Sequence, residues 1–578
     1  MVTKPRILPR SIDANENALP THLHPVLRRI YQARNITDVT QTENTLAHLL
    51  PFEQLKNIDA AVTLLSKALQ ENRHIVIIGD YDADGATSCA LAMRILRAFG
   101  AKRVDYLVPN RFEYGYGLTP EIVEVARQQN PDLIITVDNG IASIDGVNVA
   151  KQAGIDVLIT DHHLPGDALP NADAIVNPNQ PGDEFASKHL AGVGVIFYIM
   201  IALRAHLREQ GWFEQRHLPE PNMAEFLDLV ALGTVADVVK LDHNNRILVA
   251  QGLARMRAGQ ACAGIRALLN VSGRDERKVV STDLGFCVGP RLNAAGRLDD
   301  MRIGIECLLA DDPETAMQHA HTLDKFNRDR RQIEQSMREQ AQVLLQKIVT
   351  SNDTNSLPVA LCLFNEDFHE GVIGIIAGRI KEQTHRPTIV FAGAGNSTLK
   401  GSARSIPGLH IRDALDRVAT LHPELLHKFG GHAMAAGLTI NQTDFEKFDA
   451  VFNEVVNEFI DDDILQRVLH SDGQLGVDDI NLQLAETLRQ AGPWGQGFPE
   501  PLFDGEFELV QRRIVGDHHL KMVVKSQNKV VDAIAFQTTD HDWPPQVDKV
   551  RLVYKLDVNE FNGTRSAQFI VEYVEPLT

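Results

Sequence analysis

Cysteine is scarce in this chain. Five residues among 578, Cys89, Cys262, Cys287, Cys307 and Cys362, lie far apart with no Cys-x-x-Cys pair. That spacing excludes a disulfide framework or a thiolate zinc site and leaves buried free thiols of a reducing compartment. Long apolar runs are missing as well. The longest, LAGVGVIFYIMIAL at 190–203, falls short of the roughly 20 residues that cross a bilayer and reads as a buried helix. The opening MVTKPRILPRSIDANENALP has no apolar signal core. A cytoplasmic protein with no membrane partner is therefore expected. Internal repeats and low-complexity segments are also absent, and 44% hydrophobic with 23% charged residues is ordinary for a globular protein. The length suggests about three or four domains.

Positive charge is in deficit. Fifty-seven basic residues against 76 acidic ones leave a net charge of −19, which by itself argues against a nucleic-acid partner. A carboxylate-rich site whose charge is offset by bound cations weakens that objection, so local patches decide.

What is present is organised. HIVIIGD (74–80), VDYLVP (104–109), LIITVDNG (133–140) and VLITDHH (157–163) are apolar, β-branched runs ending in polar residues. Between them, TSCALAMRILRAFG (87–100) and LTPEIVEVARQQN (118–130) have helical spacing, the second with Thr119 as N-cap before Pro120. Strand–helix alternation predicts a doubly wound parallel sheet, with ligands beyond the carboxyl ends of its strands. A long charged helix is expected over 314–349, then a second α/β unit opened by PVALCLF (358–364), and from about 465 short alternating strands of a small β-barrel. The expected divisions are an N-terminal segment 1–60, a catalytic α/β domain 61–260, a helical connector 261–350, a second α/β domain 351–462 and a β-barrel 463–578.

Two Asp-His-His strings occur, in ITDHHLPGD (159–167) and VGDHHLKMV (515–523). The first closes a strand, where Asp80, Asp82 and Asp84 of GDYDADG, Asp138 of VDNG and Asp237 of GTVAD also end apolar runs. So many carboxylates cannot share one edge ionised, because each raises its neighbours' pKa. Divalent cations remove the conflict, and an oxygen-rich set with imidazole and no thiolate suits hard or borderline ions. Helix capping explains any one of these acids, but not all of them together with paired histidines. The second string has no such company: Gly516 and Asp517 read as a turn between strands.

GDYDADG (79–85), VDNG (137–140), TDHH (160–163) and GTVAD (233–237), in that order, resemble the DHH phosphoesterase superfamily, and within it the bacterial exonucleases of single strands. PNRFEYGYGL (109–118), PRLNAAGRLDD (290–300), HEGVIGIIAGR (369–379), GSARS (401–405), FGGHAMAAG (429–437) and PWGQGFPEPLF (493–503) extend the likeness. The resemblance implies a DHH domain, a linking helix, a DHH-associated nucleotide-binding domain and an OB-fold. It also implies two divalent cations, Mn2+ first and Mg2+ as the other choice. Asp82 and Asp138, helped by Asp80, would hold one; Asp84, Asp138, His162 and Asp237 the other. Asp161 would orient His162, and His163 would face the scissile phosphate. Many superfamily members carry a metal-binding histidine where this chain has Ile78, which leaves the role of Asp80 open.

For substrate, the resemblance points to Arg111, Arg291, Asn293, Arg297, His369, Ser402, Arg404, Ser405, Gly430, Gly431 and His432, the last group through glycine N–H groups and a two-pronged guanidinium. The implied activity is 5′-to-3′ degradation of single-stranded DNA to 5′-mononucleotides in repair and recombination. A single-strand-binding protein and a recombination helicase are the implied partners of a monomer. The alternative is a phosphoesterase of short oligonucleotides or cyclic dinucleotides. In the tail, Arg512, Arg513, Lys521, Lys525 and Lys529 suggest a strand-binding groove, whereas Trp494, Phe498 and Phe503 read equally as core.

Overall fold

The computed structural model describes residues 4–12, 19–109, 117–351, 357–395, 397–461, 463–516, 518–540, 543–544, 546–561 and 563–577. The chain divides into two compact units. One comprises Pro9–Lys325 and Ser471–Thr578, the other Met1–Leu8 and Phe326–His470.

In the first unit the β-branched runs form strands as the periodicity predicts: β1 (Ile75–Gly79), β2 (Val104–Leu107), β3 (Leu133–Val137), β4 (Asp156–Thr160) and β5 (Ala174–Val176). They make one parallel sheet in the order β2-β1-β3-β4-β5. Every residue of β1 and β3 is buried, as expected of strands covered on both faces. On one face Val76, Ile78, Ile134, Val157 and Ile159 pack with Ile122, Val123 and Val147 of the helices Pro120–Arg127 and Ile144–Gln152. Helices α1 (Ala83–Ala98) and α2 (Gly192–Glu209) also lie on the sheet and pack on α3 (Leu227–Ala236). The chain leaves β1 toward β2 on one side and returns to β3 on the other. The switch of direction, where a ligand crevice opens in such sheets, therefore lies between β1 and β3. The apolar run at 190–203 is the buried part of α2, and no helix among the described residues is long and apolar enough to cross a membrane.

Helix α4 (Gly289–Leu298) continues a π-helical turn, Leu284–Val288, and reaches the loop after β1. Helix α5 (Pro313–Ser351) is the long charged helix, and the division between units falls within it. In the second unit its Met337, Ala341 and Leu345 pack with Leu361, Leu363 and Val390. The strands of its five-stranded sheet are β6 (Leu361–Phe364), β7 (Thr388–Gly393), β8 (Thr398–Arg404), β9 (Lys428–Gly431) and β10 (Ala435–Asn441), with helix α6 (Ile373–Thr384) between β6 and β7. Only β6 and β7 pair in parallel; the sheet, ordered β9-β10-β8-β7-β6, is otherwise antiparallel.

The tail returns to the first unit as a closed barrel, β11 (Phe503–Val515), β12 (His519–Ser526), β13 (Lys529–Ala535), β14 (Lys549–Phe561) and β15 (Thr564–Leu577), ordered β11-β12-β13-β15-β14. The second Asp-His-His string falls at the turn between β11 and β12, with Asp517 itself outside the described residues. Trp494, Phe498 and Phe503 are core: Trp494 and Phe498 stack at 5.0 Å, and Tyr31 from the N-terminal helix Pro25–Gln32 stacks on Phe498. Arg34 pairs with buried Asp472 through two hydrogen bonds of 2.7 and 3.0 Å. The segment before residue 60 thus fastens the barrel's entry, a role with no local sequence signature.

Candidate metal centre

The loop after β1 turns sharply into α1. Asp82 is the N-cap, and its Oδ1 accepts the N–H groups of Asp84 (2.9 Å) and Gly85 (3.0 Å). Asp80 Oδ1 accepts the N–H of Tyr81 at 2.7 Å. A side chain at Gly85 would strike the Asp80 backbone, so only glycine permits this fold of the loop. After β3, Asp138 adopts φ = +63°, a left-handed conformation that costs a non-glycine residue about 1–2 kcal/mol. The Asn139 amide donates to the carbonyls of Ile78 (3.1 Å) and Val137 (2.9 Å), which ties the ends of β1 and β3 together. Asp161 and the two histidines follow β4, and Asp237 ends α3.

These elements converge. Ligand atoms of Asp80, Asp82 and Asp138 lie within 4.8 Å of one another, as do those of Asp84, His162 and Asp237, and those of Asp138, His162 and His163. His162 Nε2 is 3.0 Å from Asp138 Oδ1 and 3.5 Å from Asp237 Oδ2. Asp138 and His162 thus each belong to two of the three groups, the arrangement needed for neighbouring sites that share ligands. Burial, then the charges of Asp237 and Asp82, pushes the Asp84 carboxyl well above the usual range. Burial and then Asp84 do the same to Asp138. Asp237 is pushed up to about 7, by burial first and Asp82 second. Divalent cations relieve this self-repulsion, and carboxylates with imidazole fit Mn2+ or Mg2+.

Asp84 also anchors α2, since its two oxygens accept the N–H groups of Gly192 (2.6 Å) and Val193 (2.9 Å) at the start of that helix. Each carboxylate oxygen keeps a further lone pair for a ligand. Gly192 also lets α2 approach Asp138, since a Cβ there would lie 2.6 Å from Asp138 Cβ. Sequence reading did not find this glycine; the small-residue run LAGVGV inside an apolar helix was its only trace.

The ring that Asp161 holds is that of His163, not His162 as expected. Asp161 Oδ1 binds His163 Nδ1 at 2.8 Å and takes only the backbone N–H of His162, at 2.7 Å. The difference arises because the loop turns back over Asp161, whose Oδ2 also accepts the Ile141 N–H. Burial alone would raise the Asp161 carboxyl, but the His163 hydrogen bond and charge keep it below its usual value. Burial likewise lowers the His163 imidazole, yet Asp161 outweighs it and pushes it up to about 9. In metal-free protein, His163 followed by NMR should titrate near that value, and Asp161→Asn should bring it down toward ordinary histidine.

Among the expected substrate residues, Arg111 lies outside the described residues. Arg291 is buried, bound to Asp324 (2.8 Å) and the Cys287 carbonyl (2.6 Å), and so holds α4 in place. Asn293 Oδ1 accepts the Ala83 N–H at 2.8 Å. Arg297 is half-buried on the same helix. In the second unit Ser402 pairs with Gly437, which pairs with Gly430. Arg404 donates to Ser402 Oγ (3.0 Å) and the Ala403 carbonyl (2.8 Å). Gly374 at the start of α6 abuts both, its Cβ position lying 2.7 Å from Arg404 Nη2 and 2.9 Å from Ser402 Oγ. Among the described residues no carboxylate pairs with Arg404, and burial lowers its pKa. Gly431, at φ = +145°, leaves no room for a Cβ beside Ala436, and the His432 N–H closes the β9–β10 turn on Ala435. His369 Nδ1 accepts the Gly371 N–H just before α6. Ser405, by contrast, is buried and spends its hydroxyl on the Leu409 carbonyl.

Comparison with known proteins agrees with this layout. Residues 74–234 match the DHH family N-terminal domain, 355–458 the DHHA1 domain and 471–573 the RecJ OB domain. The chain is 53% identical over 572 residues to the single-stranded-DNA-specific exonuclease RecJ of Salmonella typhimurium, covering 98% of this chain and 99% of that protein. RecJ of Thermus thermophilus in complex with Mn2+ superimposes with a TM-score of 0.79 at 30% identity, over 99% of this chain and 79% of the other. Its Mg2+ complex gives 0.74 at 28% identity, over 99% and 78%. With all three domains present in order and more than half of the residues identical along nearly the whole length, the chain belongs to the RecJ family of single-stranded-DNA-specific exonucleases.

Proposed function

We propose that this exonuclease works with two divalent cations, Mn2+ or Mg2+, and degrades single-stranded DNA from the 5′ end to 5′-mononucleotides in repair and recombination. The observation that carries the reading is the sharing of Asp138 and His162 among three converging ligand groups, and relatives solved with Mn2+ and with Mg2+ support it. Asp80, Asp82 and Asp138 would hold one ion, and Asp84, His162, Asp237 and Asp138 the other. Bound there, the pair supplies an activated water and offsets charge on the phosphoryl oxygens.

The chain's own groups do the rest. Asp161 fixes the His163 ring, whose imidazole would present an N–H donor to a phosphate oxygen. Ser402, Arg404 and the glycines Gly430 and Gly431 would bind a terminal phosphate, with His369 and His432 as further contacts. Arg111 and Arg297 would contact the strand on their own; the Asn293 amide oxygen is already taken by the Ala83 N–H. On the barrel, Arg513 has no ion-pair partner among the described residues and is available to phosphate. Arg512, Lys521 and Lys525 first have to exchange Asp540, Asp532 and Glu508 for it. A cytoplasmic monomer, fed by a single-strand-binding protein and a helicase, completes the proposal.

The test is a time course on single strands labelled at either end. Early release of the 5′ label, requiring Mn2+ or Mg2+ and abolished by chelation, is expected; early release of the 3′ label would overturn the direction. A titration adds a second check. Because Asp237 holds its proton up to about pH 7 in the metal-free protein, a proton competes with the cation below that pH and not above it. Calorimetry should find tighter Mn2+ binding at pH 8 than at pH 6, with proton release near neutrality.

A further inference from the structure

Helix α4 touches the two carboxylate-bearing segments that are farthest apart in the chain. At one end Gly289 faces Ala236, a Cβ on it falling 3.1 Å from that side chain, and Gly285 in the preceding turn faces Val235. These are the residues just before Asp237. At the other end Gly296 abuts the Tyr81 carbonyl so closely that no Cβ fits, and Asn293 Oδ1 accepts the Ala83 N–H. Tyr81 and Ala83 flank Asp82. The helix is itself pinned by Arg291 to Asp324. From this we infer that Asn293 is a positioning residue for the metal centre, holding the Asp80–Asp84 loop in register with Asp237.

The reason lies in the first turn of α1. Its leading N–H groups have no partners within the helix. Asp82 Oδ1 takes those of Asp84 and Gly85, and Asn293 takes that of Ala83. Without Asn293 the Ala83 donor would be left to compete for the Asp82 carboxylate or pull the loop toward water. Either change moves the ligand oxygens that define the Asp80, Asp82 and Asp138 group. An N–H donor can be met only by the amide oxygen of Asn293, which fixes how that side chain points.

This inference rests on the two-cation reading, and its test separates the two. Mn2+ binding is measured on DNA-free protein by calorimetry, with single-strand affinity read separately in chelator by fluorescence anisotropy. Asn293→Leu keeps the volume but removes the acceptor; Asn293→Asp keeps the acceptor. Asn293→Leu should weaken Mn2+ about tenfold or more, the scale seen when a group supporting a metal ligand is removed. Its activity should return at high Mn2+, and its strand affinity should stay unchanged. Asn293→Asp should bind Mn2+ as tightly as the unsubstituted chain or more so. If Asn293→Leu does not fold, Asn293→Ser, too short to reach Ala83, is read in the same way. Undiminished Mn2+ affinity in the acceptor-free variant overturns the inference. So does a pattern in which both variants lose strand affinity and Asn293→Asp loses more, since that marks a phosphate contact. If the unsubstituted chain itself binds no Mn2+, it is the two-cation reading that fails.

Discussion

Asp138→Ala is expected to reduce hydrolysis of single-stranded DNA by at least about a thousandfold, with strand affinity largely retained. Asp138 belongs to the Asp80 and Asp82 group and lies 3.0 Å from His162 Nε2 of the Asp84, His162 and Asp237 group, so in the proposed arrangement its loss would weaken both cation positions at once. Cations at a phosphoryl centre supply several kcal/mol of charge stabilisation, and each 1.36 kcal/mol is a factor of ten in rate. Removing one shared ligand therefore costs more than removing Asp80 or Asp237 alone. Strand affinity should survive because the residues proposed to meet phosphate in the second unit and on the barrel are untouched. Rates from a gel-based time course, set beside anisotropy with the same oligonucleotide, check both halves. Full activity in Mn2+ would remove Asp138 from the site.

Arg404→Gln is expected to lower kcat/KM by roughly 100-fold on strands bearing a terminal phosphate. Its guanidinium is partly buried, lies against Ser402 and the start of α6, and has no carboxylate partner among the described residues. A cation held this way lacks the counter-charge that usually accompanies burial, and a phosphate would supply it. Each hydrogen bond to a charged group contributes about 1.5–3 kcal/mol, so a guanidinium grip lost to a neutral amide accounts for that drop. The loss should be much smaller on a strand whose end carries a hydroxyl. Equal losses on both substrates would place Arg404 along the strand and not at its end.

The candidate metal centre is legible because most of its residues punctuate strands. β-branched runs ending in acids locate three loops on one sheet edge, an apolar helix end adds Asp237, and company alone separates the Asp-His-His at 161–163 from its echo at 517–519. Periodicity does not disclose which partner a polar side chain finds two hundred residues away. Asn293 meets Ala83, Asp161 takes the neighbouring ring, and Arg291 and Ser405 turn inward. Gly192 escaped for the same reason: its need arises from Asp138, on another element. The N-terminal helix Pro25–Gln32 was opaque because Tyr31 and Arg34 are explained only by Phe498 and Asp472, more than 430 residues on. Trp494 and Phe498 looked equally suited to stacking bases and to a core; burial decides for the core.

The most direct measurement is anomalous diffraction from crystals of this chain soaked in Mn2+. Two peaks should stand on either side of Asp138, one reached by Asp80 and Asp82, the other by Asp84, His162 and Asp237. A map with no peak there, or with manganese bound elsewhere and these side chains turned away from it, would contradict the account.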